Sequence, residues 1–133
     1  MATTGSFTFE TNKHGNFRAN KLALSEVGKV IKVDVSDVIG PKGYSTLTME
    51  FERFKGTKTF KDELLPTIRF HVLTDSYNFF YTEKSGSLTV TIEEEEVLKI
   101  HGMFNLEMAA SPDSDPAGPK QIDLTNGVFN MKN

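Results

Sequence analysis

Leu98-Lys99-Ile100-His101-Gly102-Met103-Phe104-Asn105-Leu106-Glu107-Met108 carries apolar side chains at every even position except the glycine, and polar ones at every odd position except Met103. Successive side chains of a strand point to opposite faces, so this alternation predicts a β-strand with one face against a core. Extended from Val97 to Ala109, the segment would span roughly 40 Å at about 3.3 Å per residue, more than a usual strand. A strand of that length in a small domain must bend, and Gly102 is the residue that lets it.

The same period of two runs outward in both directions. Phe7 and Phe9 alternate with Ser6, Thr8 and Glu10. Phe17 and Ala19, then Leu22 and Leu24, predict a second strand with a phase slip near Asn20-Lys21. Val33 and Val35, then Leu47, Met49 and Phe51, then Ile68, Phe70 and Val72, then Leu88, Val90 and Ile92 continue it. At the far end Ile122 and Leu124 give way to Phe129 and Met131, a change of parity across Asn126-Gly127. Gly40-Pro41-Lys42-Gly43 and Glu83-Lys84-Ser85-Gly86 carry turn residues, and Glu93-Glu94-Glu95-Glu96 lies between two apolar runs as a hairpin tip. Lys61 to Leu65 is the single helical stretch, stopped by Pro66. Ser111 to Lys120 is the longest loop and is expected to be the most mobile. Residues 1–133 are therefore expected to form a single all-β domain of about eight strands, an antiparallel barrel or sandwich with at most one short helix.

A Gly-x-Phe pattern recurs four times, at Gly5-Ser6-Phe7, Gly15-Asn16-Phe17, Gly102-Met103-Phe104 and Gly127-Val128-Phe129. Glycine and phenylalanine two apart share a face, and a missing side chain leaves room for a bend or for a neighbour's ring. Nothing polar accompanies the pattern, so Gly102 and Gly127 are expected to be structural. Phe7, Phe9, Phe51, Phe70, Phe104 and Leu106 are expected to share one core.

Three stretches resemble a group of small uncharacterised lipoproteins of Bacteroidota, whose C-terminal halves run "GSLTIT … ISGTFNF … ITNGKFN". They are Gly86-Ser87-Leu88-Thr89-Val90-Thr91, Ile100-His101-Gly102-Met103-Phe104-Asn105-Leu106, and Ile122-Asp123-Leu124-Thr125-Asn126-Gly127-Val128-Phe129-Asn130. The likeness is close over residues 86–131 and loose before them. That group has no assigned activity, so the resemblance implies a fold and a compartment: extracytoplasmic, periplasmic or surface-anchored. Its members carry a signal peptide and a lipid-attachment cysteine. This chain has no cysteine, and Met1-Ala2-Thr3-Thr4-Gly5-Ser6 lacks the charged and apolar regions of a leader. Outside the resemblance, the expectation is a cytoplasmic protein or a mature domain without its leader.

Composition narrows the function. Fifteen Lys and Arg against eighteen Asp and Glu leave a charge of −3, with no basic stripe for nucleic acid. No apolar run approaches the roughly 18 residues of a transmembrane helix. Without cysteine there is no disulfide framework, thiolate metal site or cysteine nucleophile. Eleven phenylalanines and no tryptophan point to a Phe-packed interior.

The residues offer no recognisable catalytic group, cofactor site or metal site. His71 and His101 fall among outward strand positions, outside any His-x-x-x-His or Gly-x-Ser-x-Gly arrangement. They could share an ion only if their strands were neighbours. The four glutamates and Asp113-Ser114-Asp115 offer oxygens for Ca²⁺, but without an EF-hand's glycine and distal glutamate. Tyr77-Asn78-Phe79-Phe80-Tyr81 puts aromatic bulk on both faces of a strand. One set must point away from the core, and Tyr77, Phe79, Phe80 and Tyr81 are the candidate ligand- or partner-binding residues. The tyrosines favour the odd positions as the exposed face, since a phenol tolerates water. The expected function is a non-catalytic binding or accessory module, extracytoplasmic, with a glycan or protein partner. The alternatives are a lipocalin-like barrel carrying a small apolar ligand, and a small enzyme using His71 or His101.

Overall fold

A computed structural model describes residues 3–40, 43–94 and 97–133, and only the backbone of Ile39 and Glu94. Among the described residues the chain forms ten strands and one 3-10 turn, Asp62–Leu64. The strands are β1 (Thr4–Thr11), β2 (Gly15–Arg18), β3 (Lys21–Val27), β4 (Val30–Gly40), β5 (Gly43–Glu52), β6 (Gly56–Lys61), β7 (Thr67–Leu73), β8 (Asn78–Glu94), β9 (Leu98–Ala110) and β10 (Gln121–Lys132).

All pairing is antiparallel, in the order β2-β1-β10-β9-β8-β7-β5-β4-β3, with β6 beside β8. The two ends of this path are consecutive in the chain. β2 runs into β3 through Ala19 and Asn20, the position of the phase slip. Ala19 N–H donates to Phe7 O on β1, and Asn20 N–H donates to Ser36 O on β4. One curled sheet thus meets itself at a corner, which makes the architecture barrel-like rather than two stacked layers.

The inward faces supply one core. Phe7, Phe9, Phe51, Phe70, Phe104 and Leu106 all belong to it. Phe7 stacks on Phe129 at 5.2 Å and Phe9 on Phe17 at 4.5 Å, while Phe9 meets Phe70 edge-on at 5.4 Å. Rings occupy the barrel's interior.

Glycine builds the β9–β10 seam. The register sets Gly102 opposite Phe129 and Gly127 opposite Phe104, so each Gly-x-Phe lies antiparallel to the other. A Cβ on Gly127 would enter the Phe104 ring, and one on Gly102 would meet Thr89 O and the Phe129 ring. The parity change in β10 is a bulge: the register slips between Leu124 and Gly127, with Asn126 at φ 54°.

One expectation is corrected. Glu83-Lys84-Ser85-Gly86 is not a hairpin turn but the middle of the 17-residue β8. Its turn-like residues make a bulge between Glu83 and Ser85, and Gly86, at φ 118°, lies so close to the Asn105 backbone that no side chain fits. Bulges and turns draw on the same residues, so composition alone does not separate them. β6, off the main path of the sheet, is a strand that the alternation does not announce. In Gly56-Thr57-Lys58-Thr59-Phe60-Lys61 only Phe60 is buried, too little alternation to announce a strand. The 111–120 loop, expected to be the most mobile, is hydrogen-bonded along β8: Ser111 N–H donates to Phe80 O, Asp115 N–H to Asn78 O, and Phe80 N–H to Ser114 Oγ. Of the other predicted turns, Gly40 pairs with Gly43, and Pro41 and Lys42 lie outside the described residues, as do Glu95 and Glu96 of the acidic tip.

Candidate binding site

The aromatic run divides according to the β7–β8 register. Phe70 faces Tyr81 and Val72 faces Phe79, and because Phe70 and Val72 point inward, so do Phe79 and Tyr81. The three outward pairs are Arg69 with Thr82, His71 with Phe80 and Leu73 with Asn78. The favoured exposure of the odd positions holds for Tyr77 and is reversed within the strand: Tyr81 is 1% exposed and Phe79 8%, whereas Phe80 is half-buried on the outside. Tyr77, 44% exposed, precedes the strand and stacks on Phe79 at 5.5 Å.

Tyr81 can be buried because its hydroxyl has a partner. His14, on the β1–β2 turn, places Nε2 2.8 Å from Tyr81 Oη, and its ring lies 5.4 Å from that of Phe79. Burial pushes the Tyr81 phenol up to about 12 and lowers the His14 imidazole below its ordinary value, so both groups are neutral at pH 7. Sixty-seven residues separate the pair. Nothing local in the sequence could have announced it.

On the outer face His71 stacks against Phe80, centroids 4.1 Å apart and planes 16° apart, and meets Tyr44 edge-on at 5.6 Å. A groove of about 350 Å³ opens here, lined by Arg69, His71, Phe80, Thr82, Ser111 and Asp113, with the buried Phe70 and Tyr81 between them. Arg69 Nη1 donates to Ile68 O at 3.3 Å and to Glu83 Oε2 at 2.7 Å. Its Nε and Nη2 donors, the hydroxyls of Thr82 and Ser111, and the Asp113 carboxylate have no partner among the described residues.

Of the predicted site residues, then, the structure brings Phe80 into a groove and takes Phe79 and Tyr81 into the core. Arg69, Thr82, Ser111 and His71 join Phe80 only through strand register and loop docking, which no local pattern reveals. His71 and His101 do not meet: β8 lies between their strands, with Phe80 opposite the first and Thr91 opposite the second. His71 Nε2 lies 3.3 Å from Asn78 Oδ1, and His101 Nε2 lies 3.4 Å from Glu93 Oε1. Neither contact sets a base beside a hydroxyl nucleophile. Asp115 Oδ1 accepts Ala117 N–H within its own loop, and among the described residues no three His, Asp or Glu side chains converge as metal ligands. No helix is long and apolar enough to cross a membrane. No protein-family model matches the chain, nor does any curated protein or solved structure.

Proposed function

We propose that the chain is a non-catalytic binding or accessory module that holds a glycan or protein partner on the outer surface of β7, β8 and the 111–120 loop. The observation that carries this is the outward Phe80, set in a groove whose rim keeps several hydrogen-bonding groups uncommitted. Aromatic rings bordered by unsatisfied polar groups are the ordinary anchors of recognition. The resemblance to Bacteroidota lipoproteins supports an extracytoplasmic place of action. A carrier would need an empty interior, and here stacked phenylalanines occupy it. An enzyme using His71 or His101 as its base would need a hydroxyl nucleophile beside the imidazole, whereas the neighbours are Asn78 at 3.3 Å and the Glu93 carboxylate at 3.4 Å.

Retention of the full chain on a panel of immobilised polysaccharides and peptides tests the proposal. Wild type should be retained on at least one support, and Phe80→Ala, with an unchanged melting temperature, should be released from it. Retention that is indifferent to Phe80→Ala, or retention on no support, would sink it.

A further inference from the structure

The groove itself says what chemistry it suits. We infer that it is a subsite for one neutral pyranose ring; this rests on the binding-module proposal and narrows it. At about 350 Å³ the space is at the small end of ligand sites, which run from roughly 300 to 1,000 Å³, so it takes one ring rather than a lipid.

A pyranose has two kinds of surface. Its C–H bonds project from the ring faces and suit an aromatic wall, whose π face is negative. Its hydroxyls radiate around the ring edge and need donors and acceptors there. His71 covers one face of Phe80, and the rest of that ring provides the wall. Arg69 Nε and Nη2 provide donors, Asp113 provides an acceptor, and the Thr82 and Ser111 hydroxyls serve as either. A purely apolar ligand would bury these groups without partners, at a cost of about 1–3 kcal/mol each. Charge decides between neutral and acidic sugars. Arg69 is already neutralised by Glu83 at 2.7 Å, leaving Asp113 as the lining's uncompensated charge. An anionic sugar would face that carboxylate, whereas a neutral one donates its hydroxyls to it.

Other grooves among the described residues lack this combination. The one beside Met103 and Val128 has an aromatic in its lining, Phe129, but that ring is 1% exposed. The one along Asp62, Glu107 and Asp123 is acidic and has no ring.

Amide chemical shifts of the full chain, titrated with millimolar methyl glycosides of glucose, galactose, mannose and N-acetylglucosamine, test the inference. Glucuronate, benzyl alcohol and a short neutral peptide serve as comparison probes. At least one neutral glycoside should shift Arg69, His71, Phe80, Thr82, Ser111 and Asp113, more strongly than glucuronate does. Phe80→Ala should weaken that binding about tenfold or more. Asp113→Asn, which leaves the barrel untouched, should weaken it too and narrow the gap to glucuronate. Shifts at these residues from the peptide, benzyl alcohol or glucuronate, and from no neutral glycoside, overturn the sugar assignment and leave the binding module standing. Sugar-induced shifts confined to other residues overturn both. Silence from every probe overturns the pyranose subsite, and retention on the immobilised panel then separately decides the wider proposal.

Discussion

Between β9 and β10 each phenylalanine lies over a glycine; between β7 and β8 the outward phenylalanine lies beside a histidine and borders a groove. Both are antiparallel pairs in the same sheet, and both use a ring as the main cross-strand contact. In the first, Phe104 and Phe129 are each 1% exposed and fill the space that Gly127 and Gly102 leave. In the second, Phe80 packs on His71 at 4.1 Å and keeps part of its surface in water. A ring seated on glycine has a single position and serves stability. A ring beside another side chain on the outer face is free to meet something else.

The sharpest way to break this comparison is to remove a ring from the glycine seam. Phe104→Ala should cost about 3–5 kcal/mol, the range for emptying a fully buried phenylalanine site. It removes the cover of Gly127 together with contacts to Phe7 at 5.7 Å and Phe9 at 5.7 Å. Urea denaturation measures the loss, and a change below about 1 kcal/mol would mean that the seam is not a core contact.

The reciprocal substitution fills the glycine. Gly102→Val must displace both the Thr89 carbonyl and the Phe129 ring, and a loss of about 1–3 kcal/mol is expected. A thermal melt equal to wild type would show that β9 has room there.

How far these features could be seen in advance follows from their range along the chain. The strands other than β6, the β2–β3 corner and the β10 bulge show in local alternation, because a change of parity marks the residue at which the face changes. The Gly-x-Phe repeats could be seen to be structural, but that two of them interlock depends on β9 pairing with β10 in one register. The site was half visible. The surplus of rings at 77–81 is plain from the period of two, but which rings face out is set by Phe70 pairing with Tyr81 on the inside. Tyr77 is exposed as expected, but Tyr81 is not, because its hydroxyl finds His14, far away in sequence. Arg69, Ser111 and Asp113 are unremarkable until pairing and loop docking bring them beside Phe80.

The inward half of the aromatic run can be tested by pH. Tyr81→Phe removes one hydrogen bond and leaves His14 without its partner, for about 0.5–1.5 kcal/mol at neutral pH. The Tyr81 pKa is raised, so folding favours the neutral phenol. Its contribution is intact below the ordinary value of 10.0 and is lost as pH rises from there through about 12. His14 is shifted downward, so its contribution is intact above 6.5 and declines as pH falls below that value. Wild type should therefore lose stability between pH 10 and 12 more steeply than Tyr81→Phe does, as read by melting temperature. Parallel profiles would show that burial of the phenol is not what holds its proton.

The smallest expected effect is also the one on which the comparison turns. Phe80→Ala removes a ring as large as that of Phe104, yet its stability cost should stay below about 1 kcal/mol, the size of a single cross-strand pair. The stack on His71 is lost, but the Phe80 backbone keeps its bonds to Ser114 and Ser111, so β8 and the loop stay docked. No cavity forms, because water already reaches the site. If Phe80→Ala proves as costly as Phe104→Ala, the outer ring is structural after all, and the groove beside it is a consequence of packing. If the cost is small, selection for stability gives little reason to place phenylalanine on a wet face beside unpaired hydrogen-bonding groups, and recognition supplies that reason.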